Sequence, residues 1–360
     1  MRKPTALRKP TARSLILTIS LIALSALAAA CSKGASEGAE LDRLTVGFYT
    51  TPREVYGKSI LPAFKEAHRE RTGRVVEIHD SYLGSGAQAR AIVGGFEADI
   101  AALSLLTDLE QIAKAGLITH DVQAGDYRGI VTRSLVVIGV REGNPKQIRD
   151  FADLARPDVS LLTPNVRMSG GAMWNFLALY GAAQRGRLGG ANHASEEGIT
   201  EAEIEAQLAA ILRNVTVMDR GARESTLNFE RGIGDAIITY ENELLTSRAA
   251  GHQLEIIIPS STILIENPVA LVDANVDKHG TRELAQRFID FLYTERAQRA
   301  FAEAGYRPVR PDLTDEFSAT FPPVDALFRT DDLGGWEKIH ADIFAPGALY
   351  DRVLERSRKR

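Results

Sequence analysis

The chain has 360 residues, 44% of them hydrophobic, with 43 basic and 47 acidic residues and a formal net charge of −4. Five of the basic residues and none of the acidic ones fall in the first thirty positions, which leaves the remainder at −9. That balance argues against nucleic acid or an anionic membrane surface as partner, and any bound anion must be held by local geometry.

Arg2, Lys3, Arg8, Lys9 and Arg13 form a basic head, Ser14 to Ala30 is apolar, and Ala28-Ala29-Ala30 precedes the sole cysteine, Cys31. This pattern predicts an export signal over residues 1–30. Cys31 stands where a bacterial lipoprotein carries its lipidated cysteine, with Ala28 where leucine is usual, and residues 31–43 read as a tether. The roughly 320 residues that follow the leader exceed one comfortable core and predict two lobes.

Alternating apolar strands and helical segments predict an α/β fold with mainly parallel sheets. Strands are expected at Leu44–Tyr49, Val75–Ile78, Ile100–Leu103, Ser134–Val140, Ser160–Thr163, Thr216–Met218, Ala236–Tyr240, Leu254–Ile258 and Val269–Val272. Helices are expected at Val55–Arg71, Ala87–Val93, Ile148–Leu154, Ala172–Ala183, Glu201–Leu212 and Glu283–Ala304, and Arg185 to Gly198 reads as a surface loop.

Four short segments share one character. Thr50-Thr51-Pro52, Gly84-Ser85-Gly86, Ser169-Gly170-Gly171 and Gly221-Ala222-Arg223 each begin a helix with small residues or hydroxyls. A helix start stripped of bulky side chains exposes unpaired backbone N–H groups and the positive end of the helix dipole, which suits a small anion. Strand carboxyl ends are where open α/β sheets place ligands.

With those motifs in order, the chain resembles the periplasmic sulfate-binding proteins of bacterial ABC importers, which are type II periplasmic binding proteins. The resemblance runs from about Leu44 to Leu354 and also rests on Glu97-Ala98-Asp99, Gly143-Asn144-Pro145, Thr163-Pro164-Asn165, Trp174-Asn175, Ser225-Thr226, Glu241-Asn242-Glu243 and Tyr306-Arg307-Pro308. It implies two α/β lobes joined by crossing strands, with the ligand in the cleft. The boundaries expected are 44–130 with 266–312 for one lobe, 131–265 for the other, and 313–360 for an extension packing back on them.

The resemblance further implies a dehydrated sulfate or thiosulfate held by uncharged donors at Thr50, Ser85, Ser169, Gly170, Gly171, Ala222 and Tyr240. It implies a permease pair and an ATPase as partners, a monomeric receptor in the periplasm, no cofactor or metal, and contact with a membrane through the lipid on Cys31 alone. Two positions depart from the family pattern. Thr50 replaces the usual Asp, and Tyr240 replaces a Trp whose indole donates.

Hydrogen bonds to charged groups return about 1.5–3 kcal/mol each, so roughly six or seven donors are needed to offset dehydration of such an ion. A cage of donors alone favours sulfate, which only accepts, and predicts binding that does not change with pH. Phosphate, molybdate and tungstate are the rival ligands. A serine hydrolase using Ser85 or Ser169 is the rival from another class, although no G-x-S-x-G elbow is present. A dinucleotide enzyme is disfavoured because Asp99 follows Gly84-Ser85-Gly86 too closely. Arg53, Arg223 and Asp99 read as ion-pair partners around the cleft rather than as ligands, Glu241 and Glu243 as carboxylates that repel a wrong approach or cap the hinge, and His79 as a structural hydrogen-bond partner near the cleft.

Overall fold

The structure is a computed structural model that describes residues 41–188 and 199–359. The leader, Cys31, most of the tether and the later part of the 185–198 loop lie outside those residues.

The chain begins with β1 (Leu41–Tyr49), α1 (Leu61–Thr72), β2 (Val75–Leu83), α2 (Ser85–Val93), β3 (Ile100–Ala102) and α3 (Leu106–Lys114). It continues through β4 (Ile130–Arg141), β5 (Leu161–Leu162), α4 (Gly170–Gln184), α5 (Glu201–Arg213), β6 (Val215–Val217), α6 (Ala222–Glu230), β7 (Ala236–Tyr240), α7 (Glu241–Ala249) and β8 (Leu254–Ile257). It then returns through β9 (Ser261–Leu271), α8 (Asp273–His279), α9 (Arg282–Leu292), α10 (Glu295–Glu303), β10 (Ala326–Phe328) and α11 (Leu349–Arg358).

Hydrogen-bonded strands run in the order β2-β1-β3-β9-β4-β7-β5-β6, with β8 beside β4 and β10 beside β9. Two of them serve both halves of the molecule. β4 pairs with β9 from Ile130 to Leu135 and with β7 from Val136 to Val140. β9 in turn reaches β3 at Val269–Leu271. One core gathers Leu44, Val46, Phe48, Phe64, Phe288 and Phe301 around β1, and another gathers Val136, Ile138, Trp174, Leu177 and Ile238 around β4 and β7. The cleft lies where these two lobes meet.

The pairing is less parallel than expected. β1, β2 and β3 are parallel, as are β5, β6 and β7, but β9 and β4 run against the neighbours they cross. β9 is also far longer than the Val269–Val272 strand expected. It runs where the resemblance places a lobe crossing, near Ser260–Val269, and its polar residues are absorbed by side-chain bonds: Thr262 Oγ1 donates to the Val136 carbonyl at 2.6 Å, and Asn267 Nδ2 to that of Ser104 at 3.1 Å.

Two helices also differ from expectation. Glu283–Ala304 is broken into α9 and α10 because Thr294 caps the second, its hydroxyl accepting from the Ala297 N–H. The Ile148–Leu154 segment yields only a 3-10 turn at Phe151–Ala155, since Asp150 and Asp153 form a capping box that starts it late.

α4 is apolar all round and accordingly enclosed. Its cover includes residues near the C-terminus: Trp336 packs edge-on against Trp174 with centroids 5.0 Å apart, and Tyr350 against Phe176 at 5.1 Å. Gly181 has no Cβ, which lets the Phe328 ring lie on the helix. This packing fixes the position of the helix start at Ser169-Gly170-Gly171.

Candidate functional site

Each expected site residue falls at a strand-to-helix turn facing the lobe junction. Ser85 opens α2 behind Gly84, and Ala222 opens α6 behind Gly221, and neither glycine offers a side chain to cap the helix. Ser169 caps α4, its hydroxyl accepting from the Ala172 N–H at 3.3 Å. The Gly170 and Gly171 N–H groups therefore sit at the helix start without intrahelical acceptors. Tyr240 ends β7 and begins α7, and Thr50 follows β1.

The glycines measure how closely these turns converge. A Cβ on Gly171 would stand 2.8 Å from Tyr240 Cε2, 3.0 Å from Ala222 Cβ and 3.4 Å from Ser169 Oγ. One on Gly170 would stand 2.8 Å from Ser104 Oγ, one on Gly84 2.9 Å from the Met168 carbonyl, and one on Gly221 3.7 Å from Thr50 Oγ1. All seven residues thus lie around one junction, and only glycine permits so close an approach there.

Other residues enter that the sequence reading did not single out. Ser104, between β3 and α3, shares a hydrogen bond with Tyr240 Oη at 2.8 Å and donates its N–H to Ser85 Oγ at 2.9 Å. Its carbonyl receives the Trp174 indole N–H at 3.2 Å. The Tyr240 hydroxyl, raised in pKa by burial, stays neutral and able to donate. Asp108 on α3 is buried and accepts the Ser85 hydroxyl at 2.5 Å. The junction is therefore not made of donors alone. Leu105-Leu106, apolar at the start of α3, hides this fifth turn from a search for small or hydroxyl-bearing helix starts.

Of the charged candidates, Arg223 and Glu243 pair with each other and Glu241 and Asp99 with other residues, whereas Arg53, expected as an ion-pair partner, instead lies over the Tyr82 ring at 5.3 Å. Arg223 donates to Glu243 at 3.2 Å and, across the junction, to Glu54 at 2.9 Å. Arg307 grips Glu241 with bonds of 2.7 and 2.9 Å. Asp99 accepts from Thr281 Oγ1 and from the Thr45 N–H and contacts His279. His79 is exposed and lies 3.6 Å from Glu77 on the same strand. Among the described residues no group of three His, Cys, Asp or Glu side chains is arranged for a metal, and neither Ser85 nor Ser169 has a histidine partner.

Residues 44–307 match the model of a protein family described as bacterial extracellular solute-binding protein. The chain belongs to that family. This solute-binding protein is 39% identical to the sulfate-binding protein of Synechococcus elongatus over 87% of its own length and 86% of that relative's. It is 32% identical to the thiosulfate-binding protein of Escherichia coli, covering 95% of this chain and all of the other. Among solved structures it is similar to the sulfate-binding protein SubI from Mycobacterium tuberculosis, with 33% identity, a TM-score of 0.74, and coverage of 84% of this chain and 99% of that one.

Proposed function

We propose that this solute-binding protein captures one dehydrated sulfate between its lobes and delivers it to the permease and ATPase of an importer. The observation that carries the reading is the convergence of Ser169, Gly170, Gly171, Ala222 and Tyr240, with Ser85 and Thr50 facing them, at a junction where Arg223 is already paired with Glu54 and Glu243. Uncharged N–H and O–H groups offset the ion's dehydration, as buried charges require. Closure of the lobes on the ion supplies the shape that the permease recognises.

The lobes in this reading comprise 44–130 with 266–312 and 131–265, and residues 313–360 brace α4 from behind. The protein acts as a monomer in the periplasm, exported by residues 1–30 and tethered through lipid on Cys31. It binds without turnover and needs no cofactor. Thiosulfate is a second ligand, in keeping with the 32% identical thiosulfate-binding relative. The carboxylate of Asp108 beside Ser85 is the one feature that favours a protonated oxyanion such as phosphate instead. Calorimetric titration of the purified protein at about pH 6 distinguishes them: sulfate binds one to one and phosphate far more weakly. Phosphate binding as tight as sulfate would overturn the assignment.

A further inference from the structure

The turn between β3 and α3 sends its leucines into two different cores. Leu103, Leu109 and Ile112 are buried with Ala89, Ile92 and Val272 on their own side of the junction. Leu105, 2% exposed, is buried instead in the core around β4 and β7 that contains Trp174 and Leu177. Among the described residues it is the only buried member of that core that precedes β4 in the chain, and the partly buried Leu106 packs on the same core. A Cβ on Gly170 would stand 3.2 Å from Leu105 Cγ, so the leucine side chain lies against the first turn of α4.

Ser104 joins the same two sides. Its carbonyl accepts the Trp174 indole N–H at 3.2 Å and the Asn267 amide at 3.1 Å, and its hydroxyl is hydrogen-bonded to Tyr240 Oη at 2.8 Å. Leu109 and Ile112 fix α3 to its own lobe. When the lobes part, the start of the helix therefore travels with that lobe, and Leu105 leaves the opposite core for water.

We infer that Leu105 is a positioning residue that latches the closed cleft: seated in the core of the opposite lobe only when the lobes are shut, it slows the release of captured sulfate by acting through the lobes. The inference rests on the sulfate reading of the site. Unseating a buried leucine returns apolar surface to water, which opposes opening in proportion to the area exposed. Sulfate enters while the cleft is open and Leu105 is unseated, so the latch acts on release and leaves association alone. It also accounts for the composition of this fifth turn. The four helix starts that meet the ion carry glycine or small residues, whereas Leu105-Leu106 supplies the bulk that a latch requires. Trp174 reports the movement, because opening exchanges the Ser104 carbonyl at its indole N–H for water.

Stopped-flow fluorescence of the full protein carrying Trp336→Phe, which leaves Trp174 as the sole tryptophan, tests the inference. Sulfate is expected to shift the Trp174 emission to the blue as the lobes shut. Adding Leu105→Ala is expected to raise the sulfate dissociation rate about 30-fold, with the association rate within about twofold of its parent. Without sulfate the variant is expected to melt within a few degrees of that parent. Leu105→Met, which refills the space, is expected to bring the dissociation rate back to within about threefold. An unchanged dissociation rate in Leu105→Ala, or a loss of affinity that falls on association, would overturn the latch and leave the sulfate reading intact. So would a Leu105→Ala protein that melts far lower without sulfate, which would place Leu105 in a core that stays shut at all times. No sulfate binding by the unsubstituted protein would instead overturn the reading on which the latch rests, and the latch with it.

Discussion

Gly170→Val is expected to weaken sulfate binding by about 100-fold while the unliganded protein melts within a few degrees of wild type. A Cβ at this position would stand 2.8 Å from Ser104 Oγ, 3.1 Å from Ser104 Cβ and 3.2 Å from Leu105 Cγ. Gly170 belongs to the lobe built on β4 and β7, whereas Ser104 and Leu105 follow β3 in the other. The clash is therefore between lobes and is relieved when they separate. Ser104 has little room to give, because its hydroxyl is bonded to Tyr240 and its N–H to Ser85. Overpacking of about 1–3 kcal/mol falls on the closed state only, and each 1.4 kcal/mol is a factor of about ten. Calorimetry for affinity and thermal melts with and without sulfate check both halves. Wild-type affinity in the variant would show that closure does not bring Gly170 onto Ser104.

Arg223→Met is expected to lower folding stability by about 1 kcal/mol more at about pH 8 than at about pH 5, because it leaves Glu243 buried without its cation. Glu243 is 2% exposed. Burial pushes its carboxyl up to about 7 even with Arg223 beside it pulling the other way. Without the guanidinium the folded-state value rises further above the unfolded one, so the folded variant holds a proton that the unfolded chain has released. Stability in the variant is then fullest in acid, below the unfolded pKa, and falls as the pH rises through the window between the two values. The loss relative to wild type is accordingly largest at pH 8 and shrinks towards pH 5, where Glu243 is protonated in both. Urea unfolding at the two pH values measures it, and an equal loss at both would contradict the role given to Glu243. Arg223 also reaches Glu54 in the opposite lobe at 2.9 Å. The same variant removes a bond that favours closure, and sulfate affinity is expected to fall with it.

The parts of the fold that could be read from the sequence are those with local causes. The apolar runs of β1, β4 and β7 and the enclosed α4 declare themselves by periodicity and burial. The four helix starts rich in glycine and hydroxyls were legible because small residues at such ends have few other uses. In β9 only the apolar Val269–Val272 end was legible from composition, and the crossing near Ser260–Val269 came from the resemblance, since the polar Ser261-Thr262 and Glu266-Asn267-Pro268 become strand only against β4 and β3, far away in sequence. The break between α9 and α10 was hidden because the apolar stripe of Leu284, Phe288, Phe291, Ala297 and Phe301 continues across Thr294. At the site, Asp108 and Ser104 escaped notice because a buried acid earns its meaning from the partner it meets. That partner, Ser85, lies 23 residues earlier in the chain.

A crystal structure of the protein with sulfate tests the central claim most directly. The account predicts one sulfate at the junction, within hydrogen-bonding reach of the Gly170, Gly171 and Ala222 N–H groups and of the hydroxyls of Ser85, Ser169 and Tyr240. Arg223 remains paired with Glu54 and Glu243, clear of the ion. Sulfate held by a charged side chain, or seated away from these helix starts, would contradict it.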